Sequence, residues 1–263
     1  MSATPVTFVV EDPWSSLARL TPARIALGHA GGALPTREVL KFALAHARAR
    51  DAVHTRFDSE RIEMAIRTVG FETLTVASAA ASREIYLRRP DLGRRLSPAS
   101  RAMLEARTEP DVDLVLVVAD GLSAAAVHAQ AVPLITAVRP LIAQAGWHAA
   151  PVVLAREARV ALGDEIGALL KARAVALLVG ERPGLSSPDS LGVYLTFAPK
   201  IGRTDAERNC LSNIRPEGLA PQAAAVKLIW LLREAFRRQL TGIALKDDSD
   251  QALAPTATGT IPE

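Results

Sequence analysis

The spacing of hydrophobic residues divides this chain into two parts. In the first part they recur at helical intervals, in a segment that begins at Pro35 and in another from Ser59 to Val69. Ser97 to Arg107 has the same spacing, whereas Phe71 to Val76 is typical of a short strand. These patterns predict a mostly helical N-terminal region over residues 12–109.

The second part alternates continuous apolar runs with helical segments. The runs that predict strands are Leu114–Ala119, Pro151–Ala155, Ala174–Val179 and Val193–Phe197. Because runs of this kind are buried on both faces, they favour a mainly parallel sheet covered by helices on each side. The predicted fold class is α/β, with a Rossmann-like, doubly wound sheet over residues 110–246 that follows the mostly helical N-terminal region.

Two long helical segments are predicted within this second part. The segment after Ser123 contains Pro133 and Pro140, which predict interruptions because proline has no backbone N–H to donate. Pro221–Leu240 has one apolar and one basic face, and Gly242 is predicted to terminate it.

The two ends of the chain lack the pattern of a packed domain. Residues 1–11 are predicted to form a flexible N-terminus. Residues 247–263 begin with acidic residues and contain little apolar mass, so they are predicted to form a disordered tail.

Composition limits the classes of function. With 263 residues, 49% of them hydrophobic, the chain can bury a substantial core. Its single cysteine excludes an intramolecular disulfide and a cysteine-based zinc site, and it favours a reducing, cytoplasmic setting. The apolar runs are shorter than the roughly 20 residues that cross a bilayer, and no signal peptide is recognised. The 31 basic and 28 acidic residues nearly balance, so nucleic acid is not an expected partner.

Polar residues cluster where the predicted strands end. In a doubly wound sheet the ligand crevice lies outside the carboxyl ends of the strands, so the loops that follow residues 119, 155 and 179 should share one edge. These loops carry Asp120–Ser123, Arg156–Val160 and Glu181–Gly184. A polar stretch farther on, RTDAERNC, contains Cys210. The topology therefore predicts a binding site at this edge.

Common catalytic motifs are absent from the sequence. The first apolar run is not followed by GxGxxG, and there is no GxxxxGK[ST] phosphate loop, so ordinary nucleotide binding is disfavoured. None of the five histidines falls in HExxH, and no GxSxG elbow is present. No base is identifiable near Cys210, so we predict neither a catalytic residue nor a metal ligand in this chain.

Several long motifs carry a specific resemblance to one known family, and they occur in the order that the family has. They are ARIALGHAGGALPT at 23–36, AHARARDAVH at 45–54, YLRRPDLGRRL at 86–96, VADGLSA at 118–124, RVALGDEIGALL at 159–170, VGERPGLSSPDSLGVYLTFAP at 179–199 and RTDAERNCLSNIRPEG at 203–218. Together they resemble the small, or light, subunit of ethanolamine ammonia-lyase. The resemblance covers roughly residues 12 to 247.

The resemblance implies a subunit of an adenosylcobalamin-dependent lyase that converts ethanolamine into acetaldehyde and ammonia. In that family a large, TIM-barrel subunit holds the substrate, and the small subunit completes the cobalamin site in a hetero-oligomer. The cofactor contacts that carry over are Val160, Glu181 and Cys210. No DxHxxG motif is present, so the cofactor is expected to keep its own dimethylbenzimidazole base. The sequence leaves open whether a bacterial microcompartment contains this cytoplasmic enzyme.

Each of these residues also has a purely structural interpretation. Cys210 alone is typical of a buried thiol, Val160 of a core residue, and Glu181 of a helix cap or an ion pair with its neighbour. Asp120 and Ser123 are expected to cap the helix that follows them. Two other functions stay open: a nucleotide-binding or regulatory module without turnover, and a structural partner of the large subunit.

Overall fold

The computed structural model describes residues 8–107 and 111–250, which form an α/β fold around one six-stranded sheet. The strands are β1 (Thr73–Ala77), β2 (Leu114–Ala119), β3 (Val152–Arg156), β4 (Ala174–Gly180), β5 (Leu191–Phe197) and β6 (Asn209–Ile214). The α-helices are α1 (Thr36–His54), α2 (Ser59–Val69), α3 (Arg83–Arg88), α4 (Pro98–Glu105), α5 (Ala124–Ala145), α6 (Leu162–Leu169) and α7 (Pro221–Arg238). Short 3-10 helices cover Ser15–Leu20, Leu92–Arg94 and Asp205–Glu207.

The sheet is mixed, with strand order β1-β3-β2-β4-β5-β6. β1, β3, β2 and β4 run parallel, whereas β5 and β6 are antiparallel to their neighbours. The α/β class is therefore confirmed, and the sheet has a parallel half and an antiparallel half. The finer assignment to a Rossmann-like, doubly wound fold stays a prediction.

Side chains from alternate strand positions form two apolar cores, one on each face of the sheet. One core includes the buried faces of α2, α5 and α7 and residues from β2 to β6. The other packs α4 and α6 against β1 to β4. Helices thus cover both faces of the parallel half, which explains the continuous apolar runs in β2 and β4.

The helical predictions for the first part of the chain are accurate at α2. This helix spans Ser59–Val69, as the pattern indicates. The Asp58 carboxylate accepts a hydrogen bond from the Arg61 N–H, and Gly70 adopts a left-handed conformation with φ of 96°. These two residues satisfy backbone groups at the two ends of the helix.

The predicted N-terminal region also contributes the strand at one edge of the sheet. The segment that resembles a short strand forms β1, which pairs with β3 from Thr73 opposite Val152 to Ala77 opposite Arg156. The division of the chain at residue 110 stays a prediction. Residues 1–7 and 251–263, which belong to the predicted flexible N-terminus and disordered tail, lie outside the described residues. At the start of that tail, Asp247 and Asp250 form ion pairs with Lys227.

Two predictions about helix boundaries are wrong. Helix α5 continues through Pro133 and Pro140. Both prolines are exposed, so water can hydrate the carbonyls that lose their N–H partner, while the opposite side of the helix is held in the core. Helix α7 ends before Gly242, because Gln239 already adopts the left-handed conformation with φ of 57°.

The polar stretch around Cys210 contains a strand that the apolar pattern does not indicate. Residues Asn209–Ile214 form β6, which pairs with β5. Only Leu211 and Ile214 of this strand are buried, so it lacks the apolar run that identified the other strands.

Candidate functional site

A cavity of about 430 Å³ lies at the carboxyl ends of β2 and β4. The chain passes from β2 to β3 on one side and then to β4 on the other, so β2 and β4 are neighbours whose connections diverge. The connections that follow β2, β3 and β4 all contribute to its walls, including Gly121, Val160 and Glu181. Tyr86 and Tyr194, the two tyrosines of the chain, complete it. The predicted edge of the sheet therefore does carry a cavity.

Two glycines let the β2 and β4 connections touch along their backbones. The Leu122 N–H donates to the Gly180 carbonyl at 2.9 Å. A Cβ at Gly180 would lie 2.0 Å from the carbonyl oxygen of Ser123, and one at Gly121 would lie 2.3 Å from that of Gly180. Gly121 also has a φ of 58°, which side chains disfavour. The wall of the cavity thus requires glycine at both positions.

Asp120 ties the β2 connection to the β3 connection. Its buried carboxylate accepts hydrogen bonds from the N–H groups of Gly121 at 3.0 Å and Ala158 at 3.1 Å. The Arg83 guanidinium lies 3.6 Å away. Burial, with a smaller contribution from the nearby Glu157 carboxylate, raises the pKa of Asp120 to about 7. Asp120 is therefore a link between loops rather than the predicted helix cap.

The prediction for Ser123 is confirmed, because it caps α5. Its hydroxyl oxygen accepts from the Ala126 N–H at 3.2 Å, and the hydroxyl donates to the Pro188 carbonyl at 2.8 Å. The second bond holds the β4–β5 connection against the start of the helix.

Glu181 is fixed by donors from the β4–β5 connection and from β6. The hydroxyls of Ser190 and Ser212 each donate to its carboxylate at 2.5 Å, and the Asn213 N–H donates at 3.3 Å. Because a carboxylate offers about four lone-pair sites, acceptor capacity remains for a ligand. These partners differ from the helix cap and from the ion pair with Arg182 that the sequence left open.

Val160 lies in the connection between β3 and α6 and is half-buried. It lines the cavity and also a larger cleft of about 1000 Å³. Arg159 and Tyr194 line both spaces as well, so the cavity and the cleft are contiguous.

Cys210 reaches the site through Tyr194. The two residues are opposite each other in the β5–β6 pairing, so their side chains lie next to each other on the same face of the sheet. Cys210 is exposed, contrary to the interpretation as a buried thiol. Partial desolvation of the sulfur nevertheless raises the pKa of the thiol, so it is not an activated nucleophile.

The structure thus gathers the three predicted residues around one tyrosine. Val160 and Glu181 line the same cavity as Tyr194, and Cys210 is the residue opposite Tyr194 in the β5–β6 pairing. Sequence reasoning missed Tyr86 and Tyr194, although their rarity in the chain was a usable signal. It also missed the hydrogen-bond partners of Asp120 and Glu181, because these partners are distant in the sequence and only the strand order brings them close.

Within residues 8–107 and 111–250 there is no group of three or more His, Cys, Asp or Glu side chains that could hold a metal ion. Helix α5 is long and apolar enough to cross a membrane by length and composition. Nine of its residues are buried, and it packs against α2, α7 and the sheet. Its apolar composition is therefore explained by the core.

Comparison with known proteins identifies the family. Residues 11–246 match the family described as ethanolamine ammonia-lyase light chain. The ethanolamine ammonia-lyase small subunit of Xanthomonas campestris pv. campestris is 55% identical over 250 residues, 94% of this chain and 92% of the relative. That of Ralstonia nicotianae is 54% identical over 253 residues, 95% and 93% of the two chains. That of Azotobacter vinelandii is 54% identical over 245 residues, 92% and 91%. The chain belongs to the ethanolamine ammonia-lyase light-chain, or small-subunit, family.

Proposed function

We propose that this chain completes an adenosylcobalamin site at the boundary with a large subunit, in an enzyme that converts ethanolamine into acetaldehyde and ammonia. The observation that supports this most is the grouping of Val160, Glu181 and Cys210 around Tyr194, beside a cavity. We also propose a cytoplasmic location, which the single cysteine favours.

The residues present suit the chemistry of cobalamin. Its corrin ring has a broad apolar surface rimmed by amides, so its site needs apolar contact and a few directed hydrogen bonds. Val160 and Tyr194 offer the apolar contact, and Glu181 retains acceptor capacity for an amide N–H. The Nε of Arg159 is buried and has no hydrogen-bond partner among the described residues, so it is available to donate a hydrogen bond to a ligand. When bound, adenosylcobalamin supplies the radical that starts the reaction.

We propose that this chain holds the cofactor and that the large, TIM-barrel subunit holds the substrate. The cofactor is proposed to retain its own dimethylbenzimidazole base, because the sequence contains no DxHxxG motif. Glu181 orients the cofactor, while the aromatic rings of Tyr86 and Tyr194 limit the access of water to that side of the cavity.

An exposed apolar segment supports the proposed hetero-oligomer. Within residues 8–44, eleven large hydrophobic side chains are exposed, whereas the rest of the described chain has six. Exposed apolar side chains that are concentrated in this way are typical of surfaces that bind other proteins. We propose that the large subunit covers this segment, so an excess of it should raise the melting temperature of the chain. An unchanged melting curve would argue against an obligate complex.

Reconstitution tests the proposed function. The purified chain is mixed with its large subunit and adenosylcobalamin, and cofactor binding and acetaldehyde formation are measured. The complex should bind the cofactor and turn over, whereas the chain alone should not. Turnover by the isolated chain would contradict the division of labour. Turnover by the large subunit alone, with unchanged cofactor affinity, would favour a structural partner. Nucleotide binding without any contribution to turnover would favour the regulatory module.

A further inference from the structure

The cleft that adjoins the cavity is rich in arginine. Three of its arginines are neutralised by carboxylates of this chain, in the pairs Arg101–Glu165 at 3.0 Å, Arg203–Glu207 at 2.5 Å, Arg208–Asp205 at 2.9 Å and Arg208–Asp164. These pairs hold the walls of the cleft and contribute little net charge.

The other three arginines of the cleft, Arg94, Arg95 and Arg159, have no carboxylate partner among the described residues. Arg94 and Arg95 are exposed at its rim, next to each other in the chain. Arg159 lies over the Tyr86 ring, with the guanidinium carbon 4.2 Å from the ring centroid, and donates from Nη2 to the Tyr86 carbonyl at 3.3 Å. Its Nε is buried and has no acceptor among the described residues, and the same is true of the Nε of Arg208, whose charge is already neutralised by carboxylates. The cleft therefore carries an excess of positive charge.

This arrangement has the chemistry of a phosphate site. Guanidinium groups bind phosphate oxygens through paired N–H donors, and they keep their charge when partly buried. A buried N–H without an acceptor is unfavourable, so an anion that satisfies Arg159 would be stabilised there. An ordinary solvated surface explains exposed arginines but leaves the buried Nε unexplained.

We propose that Arg94, Arg95 and Arg159 bind the phosphodiester in the nucleotide tail of cobalamin. This inference rests on the proposed function. Adenosylcobalamin has one phosphodiester, which joins a corrin side chain to the ribose of its nucleotide tail. Val160 and Tyr194 line both the cavity and the cleft, so a cofactor that contacts Val160 lies beside these arginines. The three arginines would thereby distinguish cobalamin from corrinoids that lack the tail.

The test compares two ligands on the reconstituted complex. One is adenosylcobalamin and the other is adenosylcobinamide, which has neither the phosphodiester nor the nucleotide. Dissociation constants are measured by equilibrium dialysis with detection by absorbance. The variants are the double variant Arg94→Gln/Arg95→Gln and the single variant Arg159→Gln. The matched control is Arg88→Gln, an exposed arginine on α3 outside the cleft.

The double variant should raise the Kd for adenosylcobalamin by about ten- to a hundredfold and leave that for adenosylcobinamide unchanged. Arg159→Gln should act in the same direction, and Arg88→Gln should match the parent. If adenosylcobinamide binds too weakly to measure, the salt dependence of the Kd for adenosylcobalamin is compared between the parent and the double variant instead. The Kd of the parent for cobalamin should then rise with sodium chloride more steeply than that of the double variant.

Four outcomes would overturn the inference. The first is that the double variant binds cobalamin like the parent, and the second is that it weakens the binding of both ligands equally. The third is that its Kd for cobalamin retains the salt dependence of the parent. The fourth is that it fails to assemble with the large subunit in the absence of cofactor, in which case the arginines face carboxylates of the partner. Because Arg94 and Arg95 are exposed, the double variant should fold even where Arg159→Gln does not. A parent complex that binds no cobalamin would instead refute the proposed function itself.

Discussion

The parallel and antiparallel halves of the sheet bury their side chains differently. Every residue of β2 and β4 is buried, because helices cover both faces of these strands. In β6, Leu211 and Ile214 are buried against α7, whereas Cys210 and Ser212 are exposed on the opposite face. The parallel half therefore supplies most of the core, whereas β6 at the edge of the antiparallel half has one exposed face.

Because of this difference, the side chains that stabilise the fold are not the ones that are free to bind another molecule. Side chains in the parallel half contribute to the free energy of unfolding because they leave water completely. The exposed side chains of β6 contribute little to it, and they are free to contact another molecule. Substitutions in the two halves should consequently affect different measurements.

The largest effect is expected from Leu116→Ala in β2. The side chain is 1% exposed in the core of the parallel half, and its truncation leaves a cavity. The free energy of unfolding should fall by about 2–5 kcal/mol, as measured by urea denaturation. A loss below about 1 kcal/mol would mean that the core of this half is loosely packed.

The second prediction concerns Gly180→Ala, at the end of the last parallel strand. The added Cβ would meet backbone of the β2 connection, which cannot move like a side chain. We expect a loss of about 3 kcal/mol in the free energy of unfolding, measured in the same way. Gly32→Ala is the matched control, because an added Cβ there meets no atom within 4 Å. Equal stability of both variants would contradict the close contact of the two connections.

The third prediction is a pH dependence that arises from Asp120. Its folded-state pKa of about 7 lies above the ordinary value of 3.8, so between these values the folded protein retains a proton that the unfolded chain has lost. This contribution to stability is lost as pH rises from about 4 to about 7, with a slope of at most about 1.4 kcal/mol per pH unit.

In the parent the free energy of unfolding should fall as the pH rises from about 4 to about 7, and in Asp120→Asn this fall should be smaller. Asp248→Asn, at an exposed aspartate, is the control and should keep the slope of the parent. A slope that is the same in the parent and in Asp120→Asn would show that this carboxyl does not titrate between pH 4 and 7 in the folded protein.

The fourth prediction concerns binding at the junction of the two halves, where Glu181 follows β4 and accepts hydrogen bonds from β6. Glu181→Gln exchanges an acceptor for a donor amide at one position, and it should weaken adenosylcobalamin binding by roughly ten- to a hundredfold in the reconstituted complex. The saturated turnover rate should change little, because the contact is the same in the ground and transition states. Glu84→Gln, an exposed glutamate on α3, is the control. A lowered turnover rate with unchanged Kd would contradict a binding role.

The smallest effect is expected from Cys210→Ala. The thiol lies on the exposed face of β6, so the free energy of unfolding should stay within about 0.5 kcal/mol of the parent. Cofactor affinity should fall by less than in Glu181→Gln, because only a small polarizable contact is removed. Parent-like Kd values for both variants would show that these two positions do not contact the cofactor.

The pattern of apolar and polar residues predicted two kinds of element: helices that are capped by their own neighbouring residues, and strands that are buried on both faces. Helix α2 has an Asp58 cap at one end and Gly70 at the other, and its boundaries agree with the spacing of its apolar residues. β2 and β4 could be predicted because burial on both faces demands an apolar residue at every position. The carboxyl ends of these strands then indicated where Val160 and Glu181 lie.

The sequence by itself therefore determined the α/β class, the parallel strands, the family and the edge of the sheet that carries the cavity. Tertiary structure alone decided that Asn209–Ile214 is a strand, since a strand buried on one face is held by its pairing with β5 rather than by its own apolar content. It also decided that α5 runs through its prolines, because packing in the core outweighs the lost hydrogen bonds. The neighbours of Glu181 and Cys210 depend on strand order and register, which join residues far apart in the chain.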